Sequence, residues 1–232
     1  MNAARSWSRL GDWRGPLKKS VKPGDNTRVG CSTLPVSNRG EDVFQQQIEA
    51  SVRCLQDVRQ LGPEVDEAAQ VMTNALQSGG RIFACGNGGS AADACHFTTE
   101  LLCRLKEDRD PLAAFSLTAD SSFLTAAAND YGYEHVFARQ VQGLARAGDV
   151  LVAISTSGQS PSIIHALETA RSHDVRTVSL LGREGGACAG LAEVDIIVPN
   201  ESTARIQEAH TLIIHTLCLL IEHELFDIPT QL

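Results

Sequence analysis

A histidine and a glutamate four residues apart are the first candidates for chemistry in this sequence. His96 and Glu100 project from the same face of a predicted helix, one turn apart. An imidazole and a carboxylate at this spacing can share a metal ion, or can move a proton to and from a bound molecule. On an ordinary surface helix the same pair forms only a hydrogen bond, so the preceding residues decide between the two interpretations.

The residues directly before this helix form a glycine-rich loop. Residues 86–90 are Gly-Asn-Gly-Gly-Ser and follow a short apolar segment. Backbone N–H groups and the Ser90 hydroxyl therefore gather at a helix N-terminus, which is a favourable place for an anion. The loop lacks the Gly-Lys-Ser/Thr ending of a P-loop and does not match G-x-G-x-x-G, so it does not indicate a nucleotide. We expect it to bind a phosphate group.

A second polar turn repeats this arrangement. Residues 155–160 are Ser-Thr-Ser-Gly-Gln-Ser, they follow the apolar segment 150–154, and Pro161 can open the next helix. Four hydroxyl groups in six residues can surround a phosphate without Lys or Arg. One serine-rich turn is more often only a helix cap. Two such turns, each after an apolar segment, favour a phosphate-bearing ligand.

The last predicted helix carries further candidates, but their spacing does not choose among them. In residues 203–226, His215 aligns with Glu208 and is about a quarter-turn from Gln207. Because its neighbours are apolar, His215 fits equally well as a buried residue bonded to a backbone carbonyl. The middle of the helix is apolar nearly all round and must be covered on several sides, which predicts an oligomer.

The elements that position these residues follow a regular alternation. Two helices after residue 40 are followed by apolar segments alternating with helical ones, which predicts a parallel sheet covered on both faces. The predicted strands are 81–85, 112–117, 149–155, 175–181 and 194–198. The fold class is therefore α/β, a three-layer αβα sandwich with a five-stranded parallel sheet.

Charge is unevenly distributed along the chain. The formal net charge is −8, but residues 1–40 carry eight Lys or Arg and two Asp or Glu, which leaves −14 for the remainder. An acidic body argues against a general nucleic-acid surface, which needs a basic face. Residues 1–40 have repeated Gly and Pro and no sustained apolar period, so we expect a disordered or loosely attached extension before a single domain over 41–232.

Cysteine usage and hydropathy indicate a soluble cytoplasmic protein. The seven cysteines include no C-x-x-C pair and several lie in apolar runs, which is typical of reduced thiols. No stretch approaches the roughly 20 unbroken apolar residues of a membrane helix, and the N-terminus lacks the apolar core of a secretion signal. We therefore expect no membrane partner.

Five segments in order resemble the phosphoheptose isomerases, a branch of the sugar isomerase (SIS) domain proteins. They are GNGGSAADACHFTTEL (86–101), AANDYGYEHVFARQV (127–141), GDVLVAISTSGQSPSI (148–163), LLGREGGACAGLA (180–192) and RIQEAHTLIIH (205–215). The resemblance covers about residues 41–226. It implies a flavodoxin-like SIS domain that converts sedoheptulose 7-phosphate to D-glycero-D-manno-heptose 7-phosphate.

The resemblance also implies the residues of the site. The substrate would be held by Asn87, Gly88, Gly89, Ser90, Glu100, Asn129, Asp130, Ser155, Thr156, Ser157, Ser160 and Gln207. One Zn²⁺ per subunit would be bound by His96, Glu100, Gln207 and His215. The pocket of the family lies between subunits of a homotetramer, which implies the same assembly for this chain.

These residue types suit an isomerisation through an enediol. Moving a carbonyl between adjacent carbons needs a base, an acid and an electrophile for the developing oxyanion. We assign Glu100 as the base and His215 as its acid/base partner, with zinc as the electrophile. Nitrogen and oxygen ligands also suit other divalent ions. Cys95 stands where many relatives carry Gln or Met, and such departures leave the exact sugar open.

Two other functions remain compatible with the same fold. One is a non-catalytic regulator like the bacterial initiator-associating protein, which binds the replication initiator DnaA. Such a protein can dispense with the base and the last-helix histidine, whereas this sequence has both Glu100 and His215. The other is a phosphosugar-binding module, or an isomerase, specific for a different sugar phosphate.

Overall fold

The structure, a computed structural model, describes residues 39–230. The predicted extension, residues 1–40, lies outside the described residues except for its last two, which begin the first helix. The compact unit that contains the sheet begins at Val43.

Seven helices and five strands alternate along the described chain. The helices are α1 (Arg39–Asp57), α2 (Gly62–Gln77), α3 (Gly89–Leu102), α4 (Ser121–Tyr131), α5 (Val136–Leu144), α6 (Pro161–Ser172) and α7 (Thr203–Phe226). The strands are β1 (Ile82–Gly86), β2 (Ala114–Ser116), β3 (Val150–Ser155), β4 (Arg176–Gly182) and β5 (Val194–Val198). Single turns of 3₁₀ helix lie at Val58–Leu61, Tyr133–His135 and Gly186–Cys188.

The five strands form one parallel sheet in the order β2-β1-β3-β4-β5. The predicted α/β class and five-stranded parallel sheet are thus confirmed. From β1 the chain continues to β2 on one side, and from β3 it continues to β4 and β5 on the other side. A crevice therefore opens between the carboxyl ends of the neighbouring strands β1 and β3. The edge strand β2 has three residues, Ala114–Ser116, instead of the six expected.

Alternate residues of the strands fill two separate cores. Ile82 and Ala84 of β1 face the layer of α2, α3 and α7, whereas Phe83 and Cys85 face the layer of α4, α5 and α6. All four are at most 2% exposed, as expected for a strand covered on both faces. The three-layer sandwich is therefore confirmed, with the two helices of the candidate site, α3 and α7, in one layer.

Within the described residues, α7 is the one helix long and apolar enough to cross a membrane. It packs against α2 and α3, and it carries Arg205, His210 and Glu222 as buried polar residues. Its apolar surface therefore serves as the core of the sandwich. The Nε2 atom of His210 lies 3.0 Å from the Leu181 carbonyl oxygen, and burial lowers the pKa of this imidazole to about 4.

A buried ion pair joins the end of α3 to the end of α7. Arg109 Nε donates to Glu222 Oε1 over 2.9 Å, and both side chains are at most 1% exposed. The other guanidinium nitrogens of Arg109 donate to the carbonyls of Glu100 and Leu101, which have no partner within the helix end. Leu105 N–H also donates to Glu222. This network fixes the end of the helix that carries Glu100.

We predict that Glu222→Gln destabilises the fold by about 3 kcal/mol, because it leaves the buried Arg109 charge without its counter-charge. The measurement is the free energy of unfolding in urea. The control is Glu193→Gln, which makes the same change in an exposed pair with Arg176 and should cost under about 1 kcal/mol. Equal effects of the two substitutions would contradict this assignment.

We also predict that His210 makes the fold acid-sensitive. Its pKa in the native protein, about 4, lies below its ordinary value near 6.5, so between these values the unfolded chain takes up a proton that the native one does not. The free energy of unfolding should therefore fall by about 3 kcal/mol as the pH drops through that window. His210→Gln, compared with the parent in the presence of a chelator, should lose this part of the fall. If the free energy of unfolding depends on pH in the same way in both proteins, His210 is excluded as the source of the acid sensitivity.

Candidate functional site

The two polar loops meet at the crevice of the sheet. The first follows β1 and the second follows β3, and Gly86 pairs with Ile154 at the ends of these adjacent strands. Both loops lead directly into helices, α3 and α6, whose N-termini therefore lie on the same edge of the sheet. The structure thus brings the two predicted phosphate loops together, where a parallel sheet ordinarily binds its ligand.

Glycine suits Gly88 and Gly89 of the first loop for different physical reasons. Gly88 has φ of 57° and ψ of −120°, a conformation that side chains disfavour. A Cβ atom on Gly89 would lie 2.1 Å from Nε2 of Gln207, so a side chain there would displace the flexible end of Gln207 from the start of α3. Ser90 is buried at the start of the same helix. The loop therefore exposes backbone rather than side chains.

The second loop is held by its own hydroxyl groups. The Ser155 hydroxyl accepts from Gly158 N–H over 3.1 Å, and the Ser157 hydroxyl accepts from Gln159 N–H over 3.2 Å. The hydroxyls of Thr156 and Ser160 make no hydrogen bond to another residue of the described chain, although Ser160 occupies the N-cap of α6. They remain available to an anion at this helix start.

The helices α3 and α7 run parallel and contact each other in a constant register. Gln207 lies against Gly89, Thr211 donates to Asp93 over 3.4 Å, and His215 lies beside His96. The last two pairs are 118 and 119 residues apart in sequence. Burial raises the pKa of Asp93, which the Thr211 hydrogen bond and nearby His96 oppose. These contacts, from Gly89 and Gln207 to His96 and His215, define the seam between α3 and α7.

Three potential ligands converge at the seam. His96 Nε2 lies 3.1 Å from Glu100 Oε1 and 3.3 Å from His215 Nε2. One ligand atom from each of the three residues lies within 4.8 Å of the others. Zinc ligands at 2.0–2.1 Å in a tetrahedral site are separated by about 3.3 Å. The spacing and the N, N, O donor set therefore fit a zinc ion, and the half-exposed ring of His96 leaves the group accessible.

The other predicted residues occupy distinct parts of the site. The Gln207 side chain lies against Gly89 at the first loop, two turns of α7 before His215. Asn129 and Asp130 lie at the end of α4, where the Asn129 amide donates to the Asp130 carboxylate over 2.7 Å. The structure thus groups His96, Glu100 and His215 closely, while the Gln207 side chain contacts the start of α3.

Sequence reasoning missed several contacts. Asn87 donates to the Ser162 hydroxyl over 3.0 Å and accepts from the Tyr133 phenol over 2.7 Å. Neither Tyr133 nor Ser162 was predicted as a site residue. They lie 46 and 75 positions from Asn87, and no spacing rule connects residues so far apart in sequence. Cys95, the departure from relatives noted above, contacts the hydroxyls of Ser116 and Thr118 at 3.2 and 3.1 Å. Cys95 thus joins α3 to the end of β2.

Known proteins share both this sequence and this fold. The SIS domain family matches residues 46–182. A phosphoheptose isomerase of Shewanella halifaxensis is 48% identical over 197 residues, which cover 83% of this chain and 98% of the relative.

Two solved structures of phosphoheptose isomerases agree with this fold. The protein from Neisseria gonorrhoeae has a TM-score of 0.75 at 44% identity, covering 78% of this chain and 98% of its own. The one from Francisella tularensis has a TM-score of 0.76 at 36% identity, covering 79% and 98%. Identity at this level over nearly the full length of each relative confirms the resemblance found in the sequence. The chain belongs to the SIS domain family and, within it, to the phosphoheptose isomerases.

Proposed function

We propose that the protein is a sugar-phosphate isomerase that converts sedoheptulose 7-phosphate to D-glycero-D-manno-heptose 7-phosphate. The observation that carries this proposal is the convergence of Glu100 and His215, from separate helices, at 3.1 and 3.3 Å from a common atom of His96. The two phosphate loops lie at the start of the helices that adjoin this group. Membership of the phosphoheptose isomerases supports the same substrate.

The chemistry assigns a separate task to each group. The ketose gives up a proton from C1, and the aldose receives one at C2, with an enediol between them. The Glu100 carboxylate accepts the first proton, and the His215 imidazole moves protons between the hydroxyl and carbonyl oxygens. Each of these side chains has two polar atoms, so one atom can face the His96 ring while the other faces the sugar.

The polar loops would hold the phosphate end of the substrate. Thr156 and Ser160 have available hydroxyls, while Ser155 and Ser157 shape the second loop through their bonds to its backbone. N–H groups at the starts of α3 and α6 add a favourable electrostatic field. The first loop, formed by Asn87, Gly88, Gly89 and Ser90, would share in holding the phosphate through its N–H groups. Asn129 and Asp130 on α4 would bind the hydroxyls of the sugar.

We further propose one zinc ion per subunit, held by His96, Glu100 and His215. Their spacing fits a tetrahedral site, and Gln207 is the fourth ligand implied by the family resemblance. The ion would polarise the carbonyl and hydroxyl oxygens of the sugar. Its charge would also favour the neutral imidazole and ionised carboxylate forms that bind metal.

We propose a homotetramer in the cytoplasm as the working form. Support comes from an exposed apolar stripe on α1 formed by Val43, Phe44, Ile48 and Val52, each at least 41% exposed. Leu212 on α7 is also exposed, and the monomer leaves such surface uncovered. The acidic body opposes binding to nucleic acid.

A regulatory SIS protein is the second candidate. It would need neither a base nor a second imidazole at the seam, yet the sequence supplies both and the fold places them together. The catalytic assignment is therefore preferred.

We predict that Glu100→Gln and His215→Ala each lower kcat/KM for sedoheptulose 7-phosphate by at least about 100-fold, because each removes a principal acid or base. The measurement is formation of the aldose by the purified protein. Glu67→Gln, at an exposed glutamate on α2, is the control and should retain full activity. An active Glu100→Gln enzyme would refute the assignment of the base, and an inactive parent would refute the proposed substrate.

We predict that chelation removes activity and that added zinc restores it. The parent should bind about one zinc per chain, measured by atomic emission after dialysis, and His96→Ala should bind far less because the site loses an imidazole ligand. His210→Gln alters the same helix as His215 at a core position, so its zinc content should match that of the parent. Equal zinc content in His96→Ala and the parent would exclude this site.

A further inference from the structure

Three side chains joined by hydrogen bonds lie at the crevice between the ends of β1 and β3. The Tyr133 phenol donates to Asn87 Oδ1 over 2.7 Å, and Asn87 Nδ2 donates to the Ser162 hydroxyl over 3.0 Å. Tyr133 belongs to the 3₁₀ turn after α4, Asn87 to the first loop, and Ser162 to the first turn of α6. These hydrogen bonds therefore link three segments around the predicted phosphate position.

The orientation of Asn87 is unusual for its place in sequence. An asparagine just before a helix ordinarily turns its side-chain oxygen back to the N–H two residues on. That N–H belongs to Gly89, and it donates to no other group within residues 39–230. In this structure the Asn87 oxygen instead accepts from Tyr133 and its nitrogen donates to Ser162, and no hydrogen bond joins the side chain to Gly89 N–H.

We propose that Tyr133 is a positioning residue that keeps the anion site of the first loop open. Its phenol holds the Asn87 oxygen away from the N-terminus of α3, so that Gly89 N–H stays free for the phosphate or an anionic oxygen of the ligand. The inference deepens the proposed function and rests on it for the identity of that ligand. Without the phenol, the Asn87 oxygen closes onto Gly89 and competes with the anion.

The surroundings of Tyr133 separate this role from that of a packing residue. The residue is 50% exposed, and its ring meets Phe137 edge-on at a centroid distance of 6.5 Å. A phenylalanine ring would keep the same contact, so the hydroxyl contributes little to packing. The bond also ties Asn87 to the segment that follows Asn129 and Asp130, both predicted to bind the sugar.

The first test is a comparison of two conservative variants, since the chain has only two tyrosines. Tyr133→Phe should raise KM for sedoheptulose 7-phosphate about fivefold, the value of one ordinary hydrogen bond, and leave kcat within about twofold. Tyr131→Phe is the matched control. Its ring stacks under the Arg139 guanidinium at 3.7 Å, and the substitution should change neither constant. A fall in kcat with unchanged KM in Tyr133→Phe would overturn the inference.

The second test is a double-mutant cycle with Asn87→Ala. If the phenol acts by restraining the Asn87 oxygen, Tyr133→Phe should have no further effect on ligand affinity once that oxygen is absent. A purely structural role of the phenol would leave its effect intact. Affinity is measured by calorimetry with sedoheptulose 7-phosphate in a Glu100→Gln background, where the ligand is not consumed, and with inorganic phosphate in the otherwise unchanged protein.

The inorganic phosphate measurement separates this inference from the proposed function. If the parent fails to isomerise the sugar but Tyr133→Phe weakens phosphate binding only when Asn87 is present, the positioning role stands and the proposed substrate falls. If the parent isomerises the sugar while Tyr133→Phe matches it in KM and in both affinities, the proposed function stands and the positioning role is excluded.

Discussion

The parallel packing of α3 against α7 determines where every acid-base group of the site lies. Both helices leave the same edge of a parallel sheet, after β1 and β5, and both return across the same face. They must therefore run in the same direction, and the contacts between them keep one register. That register sets His96 opposite His215. A shift by one turn would separate the two rings by about 5.4 Å along the axis.

Different forces hold the two ends of this seam. At the start, the missing side chain of Gly89 allows Gln207 to pack directly on the α3 backbone. At the far end, the buried pair of Arg109 and Glu222 satisfies the last carbonyls of α3 and joins them to α7. A buried pair contributes little net stability compared with apolar packing, but it tolerates few alternative arrangements. We interpret the pair as a contact that aligns α3 with α7. It lies at the end of α3 that carries Glu100.

The strands and the polar loops could be predicted from the sequence better than the contacts between residues that are far apart in it. Alternating apolar segments were sufficient for the five parallel strands, and the ends of β1 and β3 carried the polar residues that mark the crevice. The order of the strands, and hence the pairing of α3 with α7, depends on tertiary packing that no local pattern encodes. For the same reason the link from Tyr133 to Asn87 was not foreseen. It joins residues 46 positions apart through a single bond.

Two of the three histidines of α7, His210 and His215, show why spacing alone could not identify the site. The sequence left His215 open as a buried residue bonded to a backbone carbonyl, whereas in the structure His210 takes that role. Five residues turn an α-helix by about 140°, so the two rings leave it on different faces. One face meets β4, where the Leu181 carbonyl binds His210 and burial keeps the ring neutral. The other meets α3, where a second imidazole and a carboxylate converge on His215. The chemistry of each histidine is therefore set by the element opposite it.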